Sequence, residues 1–178
     1  MKYTLVFVAL IAIGAIASWL FFRKNHRDVD AAYVDLRQMI LNLKSESMPE
    51  SERDGSIYAA LVDMDMGKAV VSLVSVADGT TSLYFSSGGG QLGLGNAHEQ
   101  VREATKDFLR DAERTLSGMA SATDFSLPDN QRHVVYLLTD NGIFRQEIDV
   151  QKINSAPQTT QFLFSLYNNV ISRIREAQ

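Results

Sequence analysis

Apolar and polar positions alternate most legibly between Lys68 and Met119. Two β-rich runs flank Asp78-Gly79, a pair that tolerates the left-handed backbone of a type I′ turn. A two-residue loop there faces Ala77 with Thr80 and Val74 with Leu83. That register places Val70, Val74, Val76, Leu83 and Phe85 on one face and Ser75, Ser82 and Ser86 on the other. One oily and one wet face describe an antiparallel sheet covered on one side. Beyond it, Asn96 is a suitable helix N-cap, and Glu99 is spaced to close a capping box. Val101, Ala104, Phe108, Ala112, Leu116 and Met119 then recur at helical spacing as a core-facing stripe.

The same patterning organises the rest. Ala32, Leu36, Met39, Ile40 and Leu43 give Val29–Lys44 a helical face, with Asp28 or Asp30 as its cap; packing on its own domain is favoured over a coiled-coil seam. Ser45–Ser56 is polar and aperiodic, a linker. Ile57–Met64 is apolar on both faces, as a central strand is. Pro128 and Asp129-Asn130 mark a loop after the long helix. A second hairpin follows, its three-residue loop Asp140-Asn141-Gly142 aligning Val134, Tyr136 and Leu138 with Phe144 and Ile148. Pro157 opens a last helix with the stripe Leu163, Leu166, Tyr167, Val170, Ile171 and Ile174. The expected fold is α+β: an N-terminal transmembrane helix, then a five-stranded antiparallel sheet flanked by helices.

The transmembrane expectation comes from Thr4–Phe22, an uncharged run of about the length that crosses a ~30 Å hydrocarbon core, with Trp19 near one end. Ala15-Ile16-Ala17 offers a signal-peptidase-like site as the alternative, but the apolar run continues past it and Lys2 is a thin leading charge. Arg23, Lys24 and Arg27 tilt the domain to the cytoplasmic side. The chain so divides into 1–28, an anchor with its basic flank; 29–56, a juxtamembrane helix and linker; and 57–178, a globular domain.

Composition narrows the chemistry. A net charge of −4 argues against a nucleic-acid surface, for which clustered basic excess is needed. With no cysteine, thiolate chemistry and cysteine-ligated metal are excluded. His98-Glu99 begins like a zinc-binding HExxH, but position 102 is arginine. Asp63 and Asp65 share a strand face beside a turn, where such carboxylates are usually solvated rather than cation ligands. No metal, cofactor or catalytic constellation is indicated, and an enzyme is not expected. The one pointed motif is the glycine loop: Gly88, Gly90 and Gly93 satisfy GxGxxG, and with Gly89, Gly95 and Asn96 they precede a helix start that could hold an anion. A hairpin strand before the loop and a late helix start disagree with a dinucleotide fold. A close backbone approach is the competing explanation. On the long helix Arg102, Lys106, Arg110 and Arg114 form a basic row beside an acidic one, a salt-bridged surface by default and a partner surface as the alternative.

ADGTTSLYFSSGGGQLGLG, followed by AHEQVREATKDFL, DFSLP and VVYLLTDNGIF, resembles a pattern of uncharacterised bacterial proteins, over about residues 57–175. The likeness brings no activity with it and implies a bacterial source; with the Thr4–Phe22 run and its basic flank, the expected setting is the bacterial inner membrane, single-pass, with the domain on the cytoplasmic side. At the level of fold, a small antiparallel sheet flanked by helices is similar to roadblock and other profilin-like domains, although their middle helix follows two strands and here it follows three. The expected function is a membrane-tethered, non-enzymatic interaction or scaffold module that binds a protein partner or itself. The alternative is a small-ligand or nucleotide sensor built on the glycine loop.

Overall fold

A computed structural model describes residues 28–48 and 54–178. Helix α1 (Ala31–Leu41) leads into β1 (Ile57–Asp65), β2 (Val70–Val76), β3 (Thr81–Phe85) and a two-residue strand β4 (Gly90–Gln91). A single turn α2 (Leu94–Ala97) and helix α3 (Glu99–Ala112) come next. They are followed by β5 (Ala120–Ser121), β6 (Arg132–Thr139), β7 (Gly142–Asp149) and helix α4 (Gln158–Glu176). The strands form one antiparallel sheet in the order β4-β3-β2-β1-β6-β7-β5.

β1 sits at the centre and every one of its residues is buried. Its two apolar faces therefore both need a cover. Ala60, Val62 and Met64 look toward α3 and α4. Those helices are tied to the same face by a Thr81–Thr105 hydroxyl pair at 2.6 Å and by Gln146 donating to Thr160 at 2.7 Å. Phe108 of α3 meets Tyr167 of α4 edge to face. On the other face α1 docks through polar atoms: Arg37 Nε donates to Asp63 Oδ2 at 2.8 Å, and its Nη2 lies 2.7 Å from the same oxygen. Ser72 donates to Asp63 Oδ1 at 2.5 Å, and the Tyr33 hydroxyl is 2.8 Å from Ser72 Oγ. The Arg37 guanidinium also lies over the Tyr136 ring.

Several expectations are corrected. The sheet has seven strands, not five; β4 and β5 are two-residue edge pairs, too short to carry any periodicity. The membrane-spanning, single-pass reading is not met: among the described residues no helix is long and apolar enough to cross a bilayer. The longest, α4, interrupts its apolar stripe with Gln161, Asn168, Asn169 and Arg173. Thr4–Phe22 lies outside the described residues. The order of strands and helices also departs from the profilin and roadblock likeness, since the middle helix follows β1–β4.

Both hairpins are one residue off the expected register. Gly79 N–H bonds to Val76 O and Gly79 takes φ +90°, so Ala77-Asp78-Gly79 is a three-residue loop and Val74 faces Ser82. Conversely Thr139 pairs with Gly142 across a two-residue Asp140-Asn141 loop, and Tyr136 faces Arg145. Each slip exchanges the faces of one strand relative to its neighbour. Leu83 and Phe85 thus lie under α4 with Val71 and Leu73, while Ser82 and Tyr84 join the α1 side. Asn96 sits inside the α2 turn instead of capping α3, whose N-cap is His98. Helix α1 buries Tyr33, Arg37, Ile40 and Leu41 and leaves Met39 62% exposed, and Asp63 is 0% exposed, not solvated.

The buried ion pair sets the first prediction. Removing the guanidinium in Arg37→Met strands a buried carboxylate and is expected to lower stability by about 3–5 kcal/mol. The double variant Arg37→Met/Asp63→Leu is expected to recover most of that loss, because no uncompensated charge remains. Urea unfolding followed by circular dichroism measures both; equal losses in the single and double variants would show that the pair is not what couples α1 to β1.

Candidate functional site

The sheet and α4 do not close completely on each other. α3 covers the sheet where β1 begins, and α4 crosses it near the β1–β2 turn, leaving a cavity of about 640 Å³ open to solvent. Its floor is built from successive strands: Leu83 and Phe85 on β3, Val71 on β2 and Met64 on β1. Its roof is one stripe of α4, Phe164, Ile171 and Ile174, at the spacing that lines up on a helix. A cleft of this size with an apolar lining and a few convergent polar groups is the usual form of a small-molecule site.

The polar groups gather at two places. At the β1–β6 end stand Asp65, Gln131 and His133. Asp65 is nearly buried, and its carboxylate accepts the N–H of Gly67 at 2.8 Å and of Gln131 at 2.9 Å. Asn130 and Gln131, both with positive φ, shape the chain to deliver that second N–H. His133 is 9% exposed, stacked on Phe164, with Nδ1 2.8 Å from the Tyr167 hydroxyl. Burial pushes its pKa down to about 4, the Asp65 charge opposing only weakly, so the ring is neutral at pH 7. Burial likewise pushes the Tyr167 hydroxyl well above the ordinary tyrosine range, so it stays protonated. At the β4 end stand Gln91, Arg175 and Gln178, and Gln178 Nε2 donates to Gln91 Oε1 at 2.8 Å.

The residues singled out by sequence fall elsewhere, with one connection. Gly88, Gly89 and Gly93 adopt positive φ in the turns around β4. Gly90 and Gly95 are close approaches: a Cβ on Gly90 would stand 2.5 Å from Leu83 O, and one on Gly95 1.9 Å from Gly79 O. The four-residue α2 turn that contains Asn96 gives the loop no long helix N-terminus to offer an anion. What the loop does is carry Gln91 to the cleft. Arg102, Arg110 and Arg114 pair with Glu99, Glu103, Asp107 and Asp111 along α3, away from the cleft lining, and Lys106 shares that helix. Asp63 belongs to the α1 latch, and among the described residues no group of acidic or histidine side chains is placed to hold a metal. Comparison with protein-family models, with curated proteins and with solved structures returns no match.

Two outcomes follow from this geometry. Gly95→Ala is expected to lower stability by about 1–3 kcal/mol, because backbone meets backbone with nothing free to give; Gly118→Ala, with open space around it, should stay within about 0.5 kcal/mol. Thermal melts compare the two, and an unperturbed Gly95→Ala would remove the close-approach account. For His133 the folded pKa lies below the unfolded 6.5, so the unfolded chain takes the proton first as pH falls. Its contribution is full above about pH 6.5 and is lost between there and about pH 4. His133→Gln should flatten the stability profile across that window and nowhere else.

Proposed function

We propose that this domain is a non-enzymatic small-molecule binding module whose site is the cleft between α4 and the sheet. The observation that carries this is the cavity itself: about 640 Å³ of space lined by apolar side chains in an otherwise packed fold. A solvent-open cleft of this size, with an apolar floor and roof and a few polar groups at its ends, has the form small-molecule sites ordinarily take. Binding is favoured over chemistry because the acid–base groups at the central-strand end of the cleft, Asp65 and His133, already have partners. Asp65 is held by two backbone N–H groups and the His133 ring by Tyr167. This replaces the glycine loop as the ligand-holding element and keeps it as the carrier of Gln91.

The test uses the purified full-length chain and N-phenylnaphthylamine, a neutral apolar dye that fluoresces on leaving water. A saturable rise with one site per chain is expected. It should fall at least tenfold in apparent affinity in Ile171→Trp, which fills the cleft from the roof, and in Gln91→Trp, which narrows it at the exposed β4 edge. Far-ultraviolet circular dichroism confirms that each variant is folded. Absence of saturable binding, or binding that both variants leave unchanged, would refute the assignment.

A further inference from the structure

The cleft is long and carries a charge gradient from one end to the other. Its floor takes residues from β4, β3, β2, β1 and β6, strands adjacent in that order. Four strand spacings of about 4.8 Å make roughly 19 Å from Gln91 to His133. The roof agrees, since Phe164 to Arg175 along α4 covers roughly 16 Å at the α-helical rise. A volume of about 640 Å³ drawn out over that length makes an elongated trough, long enough to take an extended chain.

The two ends differ in charge. At the central-strand end the Asp65 carboxylate is negative and His133 beside it is neutral, so an anionic group there meets repulsion. At the β4 end Arg175 is exposed and stands on the cleft wall next to the Gln91–Gln178 pair, and no ion pair engages it among the described residues. Its neighbour Arg173, by contrast, pairs with Glu176 at 2.7 Å. A planar guanidinium with free donors is suited to a carboxylate, which it can grip through two parallel hydrogen bonds.

We infer that the cleft takes an extended acyl-chain carboxylate, its chain lying between α4 and the sheet and its carboxylate held by Arg175 at the β4 edge. This rests on the reading of the cleft as a ligand site, and it adds the ligand's shape, charge and direction. Length selects for a chain, Met64, Val71, Phe85 and Ile171 line it, and the negative central-strand end opposes the reverse orientation.

The experiment is isothermal titration of the full-length protein at pH 7.5 with laurate and, in parallel, with dodecanol, each below its aggregation threshold. Laurate is expected to bind about tenfold more tightly than dodecanol, the scale of one charge-assisted contact at a partly exposed site. Arg175→Gln should abolish that preference, lowering laurate affinity about tenfold more than dodecanol affinity. Arg173→Gln, which removes the same charge one turn-edge away from the cleft, should preserve it. Equal affinities in the native protein, or a preference that survives Arg175→Gln, overturns the carboxylate assignment and leaves the cleft as an apolar site. A preference lost equally in Arg173→Gln reduces it to bulk electrostatic attraction and also overturns the contact. Binding of neither compound, together with no dye binding, overturns the site itself.

Discussion

Strand β1 cannot be left uncovered on either side, and most of the architecture answers that constraint. A strand with Leu61 on one face and Val62 on the other gains only if both leave water, and each such side chain is worth about 1.5–3 kcal/mol when fully buried. The two covers are of different kinds. The α3–α4 pair packs its face mainly with apolar stripes, supplemented by a few hydroxyl and amide contacts. Helix α1 is short and carries a mixed face, so it is fixed by directional contacts to Asp63 and Ser72. Burial pushes the Asp63 carboxyl above the ordinary aspartate range, and the Arg37 charge and the Arg37 and Ser72 hydrogen bonds pull against it. A buried pair of this kind sets geometry more than it adds stability. It fixes α1 over Asp63 and Ser72, on the face opposite the one that α3 and α4 cover.

The cleft is the remainder of that division. α3 and α4 pack against each other through Phe108 and Tyr167, and the line of α4 is set by that contact and by its start beside Gln146. Its second half then passes over β1, β2 and β3 at a separation that the side chains Val71, Leu83 and Ile171 do not fill. Tyr167 has two parts in this. Its ring belongs to the core, and its hydroxyl orients the neutral His133 ring that closes the far end.

Strong periodicity was readable in the chain, and subtle offsets were not. The central position of β1, the α3 stripe and the α4 stripe all follow from the spacing of apolar residues, because burial on one or two faces is written directly into that spacing. Register is written only in the turn, and Asp78-Gly79 suits two loop lengths that differ by one residue. The actual loop spends Gly79 on a left-handed residue after Asp78, and the order of polar and apolar residues in β2 (VVSLVSV) and β3 (TSLYF) is compatible with either outcome. Asp63 was unreadable for another reason. An aspartate in a strand looks solvated until its partner Arg37, distant in sequence, is known to sit over it. The cleft is less legible still, since its walls come from β1, β2, β3, β4, β6 and α4, and no local run of residues announces it. Gln91 was the nearest signal: it lies in the glycine loop that the sequence singled out, though as a passenger and not as a phosphate cradle.

Both margins of the sheet end in strands only two residues long, β4 on one side and β5 on the other. A long flat border would present a row of free amide and carbonyl groups to which another chain could add. Here each border is nearly closed by its own stub: β4 folds back from a glycine turn, and β5 is followed by the 122–131 segment, in which Phe125 stacks on Tyr136. Each stub pairs with two residues of its neighbour, Leu83 and Tyr84 of β3 and Phe144 and Arg145 of β7, and so shortens the border open to another chain. The sheet therefore offers a neighbouring ribbon only interrupted stretches of free backbone, the longest of them along β7 beyond Arg145.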